Sequence, residues 1–201
     1  VDILTVVADA AMISLENVQK LEERHLSYIV GARIANLKRK QIETINSELI
    51  EQTPVSELVK KDGISMSLET ERGLLVCDFS FKRYRKDLKE MDKQIAKAEN
   101  LATKNTAGKH IKFLKLNRSM GKEKVYEVNT ALIERAKLLL GIKGYYTNLL
   151  TGESKLTRQD IIDQYHNLWQ VEKAFRIAKS DLQMRPVYHF RKQAIEAHVL
   201  I

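Results

Sequence analysis

The 201-residue chain is 44% hydrophobic and 30% charged, with a net charge of +8. That balance allows one substantial core, or a core with an inserted subdomain, and excludes a disordered chain. No run approaches the roughly 18 to 20 apolar residues of a membrane span, no charged-then-apolar leader stands at the start, and a single cysteine excludes an internal disulfide framework.

Residues 3–8, ILTVVA, are a short β-branched run that predicts a buried strand ending at Asp9. Ser14 is placed to cap a helix over 15–24, with Glu16 in its first turn. SYIVGAR at 27–33 returns to strand character. Strand, helix, strand reads as one βαβ unit of an α/β sheet. Ligands of such sheets gather at the carboxyl ends of strands, where Asp9 stands. A helix is expected from about 36 to 50, and a short one from Pro54 through Lys60. A strand follows at 73–81, in which Cys77 reads as a buried thiol suited to a reducing cytoplasm. A long polar helix is expected over about 82–103.

KFLKL and KVYEVN predict two hairpin strands across an SMGK turn. TALIERAKLLL is an amphipathic helix closed by Gly141, and GYYTNLL at 144–150 is a strand followed by a TGES turn. Thr157, with Asp160 three residues on, caps a helix whose pattern runs without interruption to about Gln183. Pro186 marks its exit, and a last helix begins near Arg191. The chain opens in an apolar run at Val1 and stops inside another at Ile201, so both ends read as cut from a longer protein.

The charge is local. From Lys82 to Lys124 fourteen Lys and Arg stand against five Asp and Glu. Such a segment suits a polyanion, because each neutralised phosphate releases condensed counterions; its plainer reading is a solvated charged helix.

Tyr165, Glu172 and Lys179 recur at intervals of seven, about two turns less 20°, and so share one helix face. Ile161, Ile162, Leu168, Trp169, Phe175 and Ile177 predict that much of this helix is buried, with Trp169 in the core. Glu172 amid that apolar surface would need a cation. Lys173 or Arg176 could serve as ordinary helix neighbours. The other candidate is a metal: Asp9 and Glu172 are hard oxygen ligands of the kind Mg²⁺ takes, and two such ions can flank a phosphoryl transfer. GKEK at 121–124 lacks the rest of a P-loop, and the five histidines show no metal-ligand spacing.

The run from Tyr165 to Lys179 resembles the Y-x2-R-x3-E-x6-K signature of DDE transposases of the bacterial insertion-sequence-four superfamily. VVADAAMIS, YIVGAR, KVYEV, GYYTN and the stretch 165–201 resemble the same family. The resemblance covers nearly the whole chain and is most specific over 161–201. It implies an α/β, partial RNase H-like fold with a mixed, β-containing insertion. Residues 1–35 would begin the core, 36–143 would be an inserted basic subdomain, and 144–201 would supply the last core strand and the catalytic helix.

By the same resemblance Asp9 is the second acid and Glu172 the third, both ligating Mg²⁺ or Mn²⁺. Tyr165 and Lys179 would contact the DNA strand end. Lys82, Arg83, Arg85 and Lys86 would form a DNA-binding patch, with Lys89 beside them and Tyr84 against sugar or base. The implied reaction is cleavage at a transposon end followed by strand transfer. The implied partner is double-stranded DNA, transposon ends and target, with a possible homodimer, in the bacterial cytoplasm at the nucleoid.

The pattern departs at Leu168, which holds the arginine position, and at Ala11, where glycine is common. The family's first acid lies on an earlier strand, and Asp2 is too close to Asp9 to occupy it. The chain therefore reads as a C-terminal catalytic portion, inactive alone. One alternative is a non-catalytic DNA-binding remnant of a truncated transposase. Another is an unrelated basic α/β protein whose Glu172 is a paired surface acid.

Overall fold

A computed structural model of the chain describes residues 4–10, 14–60, 64–106, 111–117, 125–150, 156–181 and 190–200. Strand β1 (Thr5–Ala8), helix α1 (Leu15–Glu23) and strand β2 (Ser27–Ala32) form the expected βαβ unit. β1 and β2 pair in parallel, Val6 beside Tyr28 and Ala8 beside Val30. The α1 crossover makes that pairing possible. Ser14 caps α1 by accepting the Asn17 N–H, and Lys20 pairs with Glu16 one turn back.

The helix expected from 36 starts later, because residues 34–36 form a 3-10 turn. Helix α2 (Arg39–Asn46) then runs into a π-helical turn at Ser47–Glu51. Helix α3 (Val55–Lys60) follows Pro54. Strand β3 (Ile64–Thr70) is an element the sequence reading missed, and it pairs antiparallel with strand β4 (Gly73–Phe79). β3 buries Met66 but exposes Ser67 and Glu69, the alternation of a strand with one wet face. Its turn depends on Gly73, whose φ of 103° disfavours any side chain.

Helix α4 (Phe81–Thr103) has 23 residues, about 34 Å of helix. Strands β5 (Leu114–Asn117) and β6 (Val125–Val128) form the expected hairpin, whose SMGK turn lies outside the described residues. Helix α5 (Thr130–Lys137) is followed by Gly141 at φ 76°, and then by strand β7 (Ile142–Thr147). β7 runs antiparallel to both β2 and β4, which gives the sheet order β1-β2-β7-β4-β3. The architecture is mixed α/β, as expected.

One sheet face packs Tyr28, Val30, Tyr146, Leu75 and Cys77 against Ile45 and Leu49 of the α2 segment. Cys77 is fully buried, and desolvation pushes its thiol up to about 12, so it is the inert thiol anticipated. The other face packs Ile29, Val76 and Tyr145 under Ile161 and Ile162 of helix α6 (Arg158–His166). A third core joins Met91 and Ala98 of α4 to Phe113, Ile133 and Leu140.

The expected uninterrupted helix does not form. Asn167 is a turn between α6 and helix α7 (Leu168–Arg176), which passes into a π-helical turn at Ile177–Asp181. Residues 182–189, with Pro186, and the TGES turn at 151–154 fall outside the described residues. Helix α8 (Lys192–Leu200) comes last. α7 has no buried residue, contrary to the expectation of a largely buried helix: Trp169 is 55% exposed and Phe175 71%. Among the described residues no helix is long and apolar enough to cross a membrane.

Candidate active site at the end of β1

The alternation of a strand places every second residue on one face. Val7 and Asp9 therefore fall on the face that carries Ile29 and Gly31 of β2, Lys143 and Tyr145 of β7, and Val76 and Asp78 of β4. α6 lies on this face. Its capping box is complete: Thr157 accepts the Asp160 N–H, and the Asp160 carboxylate accepts from the Thr157 N–H and hydroxyl. Ile161 and Ile162 seat the helix, and Tyr165, one turn on, reaches over β2.

Gly31 admits the Tyr165 phenol. A Cβ at Gly31 would lie 2.6 Å from the Tyr165 hydroxyl and 2.9 Å from the Ala10 nitrogen, closer than real Cβ contacts come. The bare Cα lets the phenol rest on the strand beside Asp9. The hydroxyl holds its proton above the ordinary tyrosine range. Burial is the largest cause, followed by the Asp9 charge, a hydrogen bond to Asp9 and the Glu172 charge. Both carboxylates named from the sequence thus act on one phenol.

Asp9 is exposed, and its Oδ1 accepts the Ala10 N–H at 2.6 Å. Glu172 is exposed too, not set into apolar surface as expected. Neither basic neighbour pairs with it among the described residues; Lys173 instead lies over the Trp169 ring, 5.9 Å from its centroid. That arrangement removes the ordinary ion pair that would account for Glu172. Lys179 lies exposed on the π-helical turn, two turns from Glu172, with no ion pair or hydrogen bond among the described residues. The structure therefore sets the Tyr165 phenol on Gly31 beside Asp9, with Glu172 on α7 acting on it through its charge and Lys179 two turns further on.

Two carboxylates with open oxygen positions suit a hard divalent cation, which takes carboxylate and phosphate oxygens together. Among the described residues no group of three His, Cys, Asp or Glu gathers at one point. Asp78 on β4 is no substitute third ligand. It stands three strands from β1 in the sheet order, roughly 14 Å at about 4.8 Å per strand. Its Oδ2 is also taken by Arg83 at 3.2 Å.

The four basic residues expected to bind DNA do not behave alike. Lys82, Arg85 and Lys86 are exposed on the first turns of α4, around a shallow hollow edged by Val59 and Phe81. Arg83 turns inward, against expectation. Its guanidinium donates to Asp78 and to the Gly141 carbonyl, and its side chain is 21% exposed. The cause is the buried Asp78 carboxylate, which requires a counter-charge. Tyr84 is likewise committed to packing: its ring stacks on Phe81 and its Cβ closes on Gly141.

A family model described as "Transposase DDE domain" matches residues 2–201. The chain belongs to the transposase DDE domain family. Neither the comparison with curated proteins nor that with solved structures gives a match. The mixed α/β sheet with its covering helices is consistent with the RNase H-like fold of such domains.

Two residues that shape this candidate site escaped the sequence reading. Gly31 carried a usable signal, since a lone glycine inside a strand pattern marks a close approach. Tyr145 carried none, being one apolar residue among several in GYYTNLL. Its ring lies 4.5 Å from that of Tyr165, its hydroxyl is 3.5 Å from His166 Nε2, and it is wholly buried. Burial, and then the nearby Asp78 charge, raise its pKa well above the tyrosine range. Tyr145 is the wall against which Tyr165 is set.

Proposed function

We propose that this transposase domain is the catalytic portion of a DNA-cleaving and strand-joining enzyme, inactive alone for want of the first acid, in which Asp9 and Glu172 would hold Mg²⁺ or Mn²⁺ beside Tyr165. The observation that carries this reading is the Tyr165 phenol set on Gly31 beside Asp9, with the Glu172 charge acting on the same hydroxyl. A bound divalent ion would activate the attacking oxygen and neutralise charge at phosphorus. The chain's own residues hold the reacting strand. The Tyr165 phenol, seated over Gly31 beside Asp9, would keep its proton and present it to that carboxylate. Lys179 contacts the strand beyond it. Lys82, Arg85 and Lys86 position the duplex backbone, a contact that carries no sequence information.

The signature around Glu172 supports membership of the insertion-sequence-four group, with this chain as its C-terminal catalytic portion. Its working partner is double-stranded DNA, transposon ends and target, with two copies acting on paired ends. Residues 1–35 and 144–201 are assigned to the core, and 36–143 to an insertion whose β3–β4 hairpin extends the core sheet. The bacterial nucleoid is where such a protein meets its substrate.

Fluorescence anisotropy with a short duplex tests the binding half of this reading. Converting Lys82, Arg85 and Lys86 together to glutamate should weaken binding by tenfold or more, about 1.4 kcal/mol, and flatten its salt dependence. Unchanged affinity would remove α4 from the interface. Arg83 is left out of that variant because removing it would strand a buried Asp78 carboxylate, at about 3–5 kcal/mol of stability. Nicking of an end-bearing duplex in Mg²⁺ tests the chemistry: the chain alone should bind without nicking, and nicking by it would contradict the missing first acid.

A further inference from the structure

Lys143 is the exposed residue of an otherwise buried strand. β7 lies at the centre of the five-stranded sheet, hydrogen-bonded to β2 on one side and β4 on the other, so its backbone is fixed. Of its residues Ile142–Thr147, Lys143 alone is exposed. It shares a sheet face with Tyr145 and Gly31, the face on which the Tyr165 phenol rests. Its ammonium lies 5.6 Å from the centre of the Tyr165 ring. A rigid strand therefore holds a cation beside the phenol that rests next to Asp9.

Lys143 makes one structural contact among the described residues, its ammonium over the Tyr165 ring. Its register partner across the ladder is Asp78, the one buried carboxylate on this face among the described residues. Arg83 already supplies Asp78 with a counter-charge through two contacts of 3.2 Å to its Oδ2, while Oδ1 has no hydrogen-bond partner among the described residues. Among the described residues Lys143 makes no ion pair. On the helix side of the same phenol, Leu168 stands one turn after Tyr165 and offers no charge. A strand-borne ammonium is a compact point charge with three donors, suited to a phosphate oxygen.

We propose that Lys143 is a positioning residue that holds a backbone phosphate of the DNA strand at the Asp9–Tyr165–Glu172 site. The inference rests on the DNA reading above and adds to it a residue outside the Tyr165–Lys179 run. Lys143 takes the phosphate from the sheet side, while the carboxylates and any metal between them take the reacting group. The phosphate would also screen Lys143 from the carboxylates across the phenol.

The test uses the full chain and a short blunt-ended duplex, titrated by anisotropy at several salt concentrations. Lys143→Gln should lower affinity several-fold and reduce the slope of log affinity against log salt by about one contact. Lys143→Arg should restore most of both, and neither variant should change the melting temperature, because the side chain is exposed. Equal affinity and slope for Lys143→Gln, with wild-type binding intact, would overturn this inference alone. No binding by the wild-type chain would overturn the DNA reading together with it. A loss that Lys143→Arg fails to restore, accompanied by a fall in melting temperature, would make Lys143 structural and overturn the proposal.

Discussion

Helices α6 and α7 are separated by one residue, Asn167, and differ in almost everything else. α6 begins with a complete capping box, buries Ile161 and Ile162 against the sheet and delivers Tyr165 over Gly31. α7 begins without a side-chain cap and buries nothing, although Trp169, Val171 and Phe175 give it the stronger apolar character. The sheet therefore anchors one half of the Tyr165–Lys179 stripe, and the other half projects from it. An apolar helix face records that burial is favourable; it does not name the surface that covers it.

Substitutions separate the two halves most sharply in stability. Ile161→Ala should cost about 2–5 kcal/mol, because the side chain is fully buried and the sheet cannot close over the void. Phe175→Ser, at a residue 71% exposed, should stay within about 0.5 kcal/mol. Chemical denaturation measures both, and equal costs would erase the contrast. A smaller effect belongs to the cap. Thr157→Ala removes the oxygen that accepts the Asp160 N–H and should cost about 1 kcal/mol. It should also disturb Tyr165, two turns on, more than it disturbs Glu172 on the far side of Asn167.

The fold was legible where local rules and tertiary packing agree. Ser14 and Thr157 fixed helix starts through their caps. The TVVA and SYIVGA runs announced strands, the second buried and the first only half-buried at the sheet edge. α5 ends at Lys137, before the Gly141 expected to close it. β3 was hidden because its alternation carries serine and glutamate on the wet face. The break at Asn167 was hidden because the seven-residue rhythm of Tyr165, Glu172 and Lys179 continues across it.

The two acids proposed for the site were named in the sequence because Asp9 ends a strand and Glu172 stands at a marked spacing. The roles of its cations depend on burial elsewhere. Arg83 looks like its neighbours Lys82 and Arg85 in sequence, but the buried Asp78 takes it inward. Lys143 looks like any strand lysine until Tyr165 is laid beside it.

The convergence of Asp9 and Glu172 on the Tyr165 hydroxyl is the claim on which the rest depends. Its direct test is the ionisation of that hydroxyl, followed by NMR of ring-labelled tyrosine and assigned with Tyr165→Phe. In the folded chain Tyr165 should lose its proton above the ordinary value of about 10. Its contribution to stability is therefore complete below that pH and is lost as pH rises through the folded value. Asp9→Asn should lower the folded value without restoring the ordinary one, because burial is the larger cause. Calcium ion, an oxygen-seeking cation that stays dissolved in alkaline buffer, should lower it in the wild type by neutralising the carboxylates. That response should shrink in Asp9→Asn and in Glu172→Gln. A Tyr165 titration that is the same with and without the cation would contradict a shared metal site at Asp9 and Glu172.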